Sequence, residues 1–191
     1  MMNPILQYPQ PRPAFIRTVV TAAGAATLML LAPSSNAGDP DQPDPIAVEM
    51  VGSERTEFTD EVAIEIRLQP EGRSEQVLKL DAPSRVAVAR ITIQPGATFP
   101  WHTHPGPVLA GVEKGELIYT YADDCVDRPY GKGTMFVDPG GDNVHTAHNP
   151  SSDEEAVVIA TFLDAPMEGK LTLPVDKQSG QQLDEKCDID R

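Results

Sequence analysis

The sequence predicts an all-β sandwich or barrel, and three observations carry that reading. Alternating and β-branched runs recur between residues 61 and 163. Gly and Pro punctuate the gaps between them, as turns require. No segment beyond the N-terminal apolar run shows a helical period, which leaves sheets as the only elements able to bury the apolar faces. About 154 residues follow that N-terminal run, enough for one domain with a sizeable core, and no internal repeat indicates a second barrel.

In chain order, Arg12 and Arg17 precede an apolar run from Thr18 to Pro33 that ends near Ser35, Asn36 and Ala37. This is the layout of a secretory signal peptide, residues 1–37, with cleavage expected after Ala37. The run is roughly 15 residues, short of the 18 or more of a spanning helix, so the mature chain is expected to have no membrane span. No nearby cysteine is available to carry a lipid, and the two arginines are not adjacent as a twin-arginine signal needs. The expected location is periplasmic or secreted.

Residues 38–57 begin with three Pro and three Asp between Gly38 and Pro45, a composition that disfavours helix and sheet alike, and are read as a linker. The barrel is placed at 58–176, with its central part at 90–165. Within it Val62–Ile66 alternates, Arg85–Ile93 is rich in β-branched residues, Glu116–Tyr121 follows a Gly turn, and Ala156–Leu163 reads as a strand buried on both faces. The tail, 177–191, is polar and expected to be irregular.

Cys125 and Cys187 are the only cysteines. In an oxidising compartment they would pair, tethering the tail to the barrel. The bridge would close a loop worth roughly 4 kcal/mol in the chain-entropy account. The alternative is two free thiols in a reducing compartment, one of them a metal ligand.

Charge excludes some partners. Losing Arg12 and Arg17 with the signal peptide takes the net charge from −14 to −16, a surface that repels nucleic acid and anionic membranes. Asp123, Asp124 and Asp127 lack the regular spacing of a calcium loop.

All 4 histidines fall in two short segments, Gly96 to Gly115 and Gly133 to Asn149. His102 and His104 are separated by one residue, so on a strand both imidazoles face one point. A metal requires such convergence and core packing does not. The second segment could bring His145 as a third ligand from another strand.

These segments resemble the two motifs of the cupin superfamily. Gly96, His102, His104 and Gly115 fit the first. Gly133, Pro139, Gly141, His145 and Asn149 fit the second, with one extra residue between Gly141 and His145. The short spacing between Gly115 and Gly133 is similar to that of small single-barrel bacterial cupins. The resemblance implies a single antiparallel β-barrel of the double-stranded β-helix, or jelly-roll, type. It also implies one divalent transition metal, with Zn, Fe, Cu, Ni and Mn not distinguished.

One departure stands out: Val108 occupies the place where cupins usually supply a carboxylate ligand. Glu113 lies five residues on, roughly 16 Å along an extended strand and on its other face, so it is a poor substitute. The expected centre is therefore His102, His104 and His145 with positions open to water or substrate, and a carboxylate from a distant strand stays an alternative. His148 differs in parity from His145 and should point away. Leu109, Tyr119, Tyr121 and Phe136 are taken as pocket residues by neighbourhood, and Trp101 as packing between sheets.

Two functions are compatible with such a site. One is a metal-dependent enzyme, an oxygenase or a lyase or isomerase, acting on a small carboxylated or hydroxylated molecule. The other is a non-catalytic barrel that binds a small ligand or a metal. The expected partner is a small molecule in either case, and a homodimer is left open.

Overall fold

The computed structural model describes residues 43–83 and 85–190. The expected signal peptide, its cut after Ala37 and the first residues of the expected linker lie outside them. Strand β5 (Arg85–Ile93) shows how the sheets are patterned: Ala87, Ala89 and Ile93 are buried, while Arg90 on the other face pairs with Glu113.

Around β5 a first sheet runs in the order β1 (Ile46–Met50), β5, β12 (Ala156–Leu163), β7 (Val108–Lys114), β10 (Met135–Asp138), with β2 (Thr56–Glu57) also paired to β5. The second sheet has the order β13 (Leu173–Pro174), β6 (His102–Thr103), β11 (His145–His148), β8 (Glu116–Tyr121), β9 (Asp127–Gly131). Every pairing is antiparallel. The fold is the all-β antiparallel architecture that the sequence implies, and its core is formed by inward residues of both sheets, among them Ile93, Ala110, Leu117, Tyr119 and Val158.

Several motif residues are structural. Gly115 alone joins β7 to β8, at φ 69°, with a Cβ there falling 2.8 Å from the Glu155 carbonyl oxygen. Only glycine fits that turn. Asn149, fully buried, donates its amide to the carbonyls of Ile93, Gln94 and Glu154 and accepts from the Ser151 N–H. It ties the end of β11 to both neighbouring turns.

Three expectations are corrected. The segment read as a linker contains β1 and β2. Ile46 and Met50 sit at the ends of a five-residue strand whose partners on β5 are Ile93 and Ala89. The Pro and Asp content just upstream hid this short strand, whose pairing depends on a distant edge. The tail is not irregular: Lys177–Cys187 is a helix, α1. Asp176 caps it, its side chain accepting from the N–H groups of Gln178 and Ser179, and none of its residues is fully buried. With no apolar stripe the helix leaves no period to read. Tertiary anchors replace the stripe: the Cys125–Cys187 disulfide, the Trp101 indole N–H donating to Asp184 at 2.7 Å, and Lys186 donating to the Ala122 carbonyl at 2.6 Å. Trp101 is therefore packed under α1, with Gly180 beside its ring, rather than between the sheets.

Strands β3 (Ile64–Leu68) and β4 (Gln76–Leu80) form a hairpin that pairs with neither sheet. Arg73, between them, donates to Asp123 and Asp124 and lies 4.2 Å over the Tyr121 ring, while Arg128 also holds Asp124. These acids are neutralised by arginines, and Asp127 accepts from Thr120, so the cluster is an ion-pair latch. Arg73→Ala is expected to cost about 2 kcal/mol and to accelerate amide exchange in β3 and β4 alone. Exchange unchanged in that hairpin would contradict the latch.

Candidate metal centre

The two ribbons that carry the histidines are neighbours in the second sheet, and His102 on β6 is the register partner of His145 on β11. His104 follows two residues after His102 and returns to the same face. All three are buried, and one ligand atom from each lies within 4.8 Å of those of the others. The ring centroids are 4.2 to 5.2 Å apart.

Each ring is oriented through Nδ1. His102 donates to the Pro100 carbonyl at 2.7 Å, His104 to the Leu171 carbonyl at 2.8 Å, and His145 to the Asn143 carbonyl at 3.2 Å. A carbonyl oxygen only accepts, so all three carry the proton on Nδ1 and keep the Nε2 lone pair free for an ion. Burial, reinforced by the charge of neighbouring imidazoles, pushes the His102 pKa down to about 3. Burial with the influence of His104 does the same to His145, also to about 3. Neutral imidazole is the ligating form, so the donor set fits a borderline divalent ion.

The sequence reading missed Asp138. It is buried, on β10, and its register partner across to β7 is Val108. Asp138 thus brings a buried carboxylate beside the triad from the opposite sheet, while the group able to hold an ion consists of the three histidines. Its Oδ2 lies 3.0 Å from His145 Nδ1 and 3.7 Å from His104 Nε2, and accepts from the Tyr119 hydroxyl at 3.0 Å. The Gly140 N–H donates to Oδ1 at 2.6 Å. Gly140 has φ 68°, and a Cβ on it would fall 2.3 Å from the Gly106 carbonyl oxygen, so this turn admits only glycine. Burial raises the Asp138 pKa, opposed by the nearby His104. Asp138 stands two positions after Phe136 on β10 and shares its face.

The triad opens into a cavity of about 140 Å³ between the sheets. Tyr119 and Phe136 line it; Tyr119 stacks on His145 at 4.6 Å. Leu109 does not line it: Val108 and Ala110 do, and Leu109 alternates with them onto the other face. Tyr121 also lies off the wall, behind Tyr119 and beneath Arg73. His148 pairs with Ile118 at the far end of β11 and stands outside the triad, as its parity implies. Glu113 is engaged by Arg90 on the outer face.

The profile of the Cupin domain family matches residues 89–162. No curated protein sequence matches the chain. Among solved structures it is similar to an oxalate oxidase, 23% identical over 53% of this chain and 63% of that one, with a TM-score of 0.39. It is also similar to the polyketide cyclase RemF of Streptomyces resistomycificus, at 17% identity over 64% and 72% of the two chains and a TM-score of 0.41. A cupin-like protein of Thermotoga maritima shows 25% identity over 51% and 72%, with a TM-score of 0.40. The chain spans less than two thirds of the oxalate oxidase.

Proposed function

We propose, from the premise that residues 89–162 carry a cupin domain, that this chain is an exported metal-binding barrel. In this reading His102, His104 and His145 hold one divalent transition metal, and a small oxygen-donor molecule takes the positions they leave. The observation that carries it is the convergence of three buried imidazoles, each with Nδ1 bonded to a carbonyl. When bound, such an ion supplies Lewis acidity or, if redox-active, a place for dioxygen. Asp138 and Tyr119 add a buried carboxyl and a hydroxyl at the same wall, which favours a metal-dependent enzyme over a passive binder. Export is supported by the Cys125–Cys187 disulfide, and among the described residues no helix is long and apolar enough to cross a membrane.

Elemental analysis of the protein purified from the periplasm tests the reading. About one equivalent of metal per chain is expected in the wild type and none in His104→Ala. Wild-type protein without stoichiometric metal would remove the proposal. Asp138→Asn keeps the shape but loses the charge that faces His145, so metal affinity is expected to fall about 10- to 100-fold. Competition against a chelator of known affinity measures this, and an unchanged affinity would deny Asp138 any part in holding the centre.

A further inference from the structure

The wall around the triad constrains what can sit beside an ion. Among the described residues no lysine or arginine lines the cavity. The basic residue of β5 that lies nearest in sequence, Arg90, is on the outer face with Glu113, while Ala89, Ile91 and Ile93 face in. The polar side chains of the buried wall beside the histidines are already engaged, since the Tyr119 hydroxyl donates to Asp138 and Asp138 accepts from Tyr119 and Gly140, while Thr172, the remaining polar lining residue, is exposed to solvent. A second carboxylate, a phosphate or a row of hydroxyls placed there would lose its water without gaining a partner, a large penalty. Opposite the histidines the wall is hollowed by three alanines in register on adjacent strands, Ala89 on β5, Ala160 on β12 and Ala110 on β7. The resulting space, about 140 Å³, is close to the ~150 Å³ cavity that accepts benzene.

We infer that the ligand of this site is a single-headed oxygen donor with a compact apolar body, a short monocarboxylate being its simplest form, whose head meets the metal and whose body fills the alanine hollow. The inference rests on the metal-binding reading above and specifies its ligand class. A dianion or a polyhydroxylated molecule is refused, since only the head group has a counter-charge.

Titration calorimetry on the zinc-loaded full chain with acetate, propionate, butyrate and succinate tests this, with zinc content measured on the same samples. Affinity should rise about three- to fourfold per added methylene, so butyrate binds roughly 9- to 16-fold tighter than acetate. Succinate, with the same four carbons and a second charge, should bind no tighter than acetate. A flat series, or succinate equal to butyrate, overturns this inference alone. A chain that holds neither zinc nor any other divalent transition metal overturns it together with the metal reading. Ala160→Leu, or the smaller change Ala110→Val, should erase the gain from acetate to butyrate. A gain that persists in either folded variant overturns the role given to the hollow.

Discussion

Between pH 6.5 and about pH 3 the metal-free protein is expected to lose on the order of 5 kcal/mol of stability through His102, with a further loss through His145. The sign follows from which state binds the proton. Unfolded histidine takes it near pH 6.5, whereas the folded rings, desolvated and facing one another, resist until about pH 3. Within that window the unfolded chain binds more protons, so stability is complete above 6.5 and drains away as pH falls. The two losses do not simply add, because the charge of His145 is part of what depresses His102. Asp138 opposes them: its raised folded pKa means the folded state gains its proton first, recovering part of the loss. Single domains typically have 5–15 kcal/mol in total, so the barrel should unfold cooperatively in mild acid. Urea titrations at successive pH values measure the effect. In a His102→Gln, His145→Gln protein the slope across the window should flatten, and a slope identical to wild type would refute the assignment. A bound metal, which needs the same neutral rings, should steepen the transition.

Replacing both cysteines by serine is expected to cost roughly 4 kcal/mol, because the bridge closes a separation of 62 residues, and to lower Tm by roughly 10 °C. The effect should be local in its consequences. Helix α1 contributes no fully buried residue and rests on the barrel through Cys187, Asp184 and Lys186. Without the bridge it should fray, uncovering Trp101, which is 2% exposed and the only tryptophan. Fluorescence should therefore shift to the red well below the main unfolding transition. Coincidence of the fluorescence and far-UV transitions in the Cys125→Ser, Cys187→Ser protein would show that α1 is held by its other contacts.

Sequence alone determined the strand-rich class and the shared face of His102 and His104, while His145 joins them through the resemblance to the cupin motifs and the cysteine pair is an expectation for an oxidising compartment. The first two follow from local rules, because strand parity fixes which residues share a face. Parity also separated His148 from His145. The rest was decided by the tertiary structure, for a common reason. Asp138 comes to lie beside the triad because β10 pairs with β7 in a register that sets it opposite Val108, and no local pattern encodes which strand lies alongside. Strand β1 exists because β5 offers it an edge, and α1 because a disulfide and an indole anchor a polar segment. The alanine hollow arises only when β5, β12 and β7 align. Spacing along the chain specifies faces, but long-range pairing specifies neighbours, and it is neighbours that complete a site.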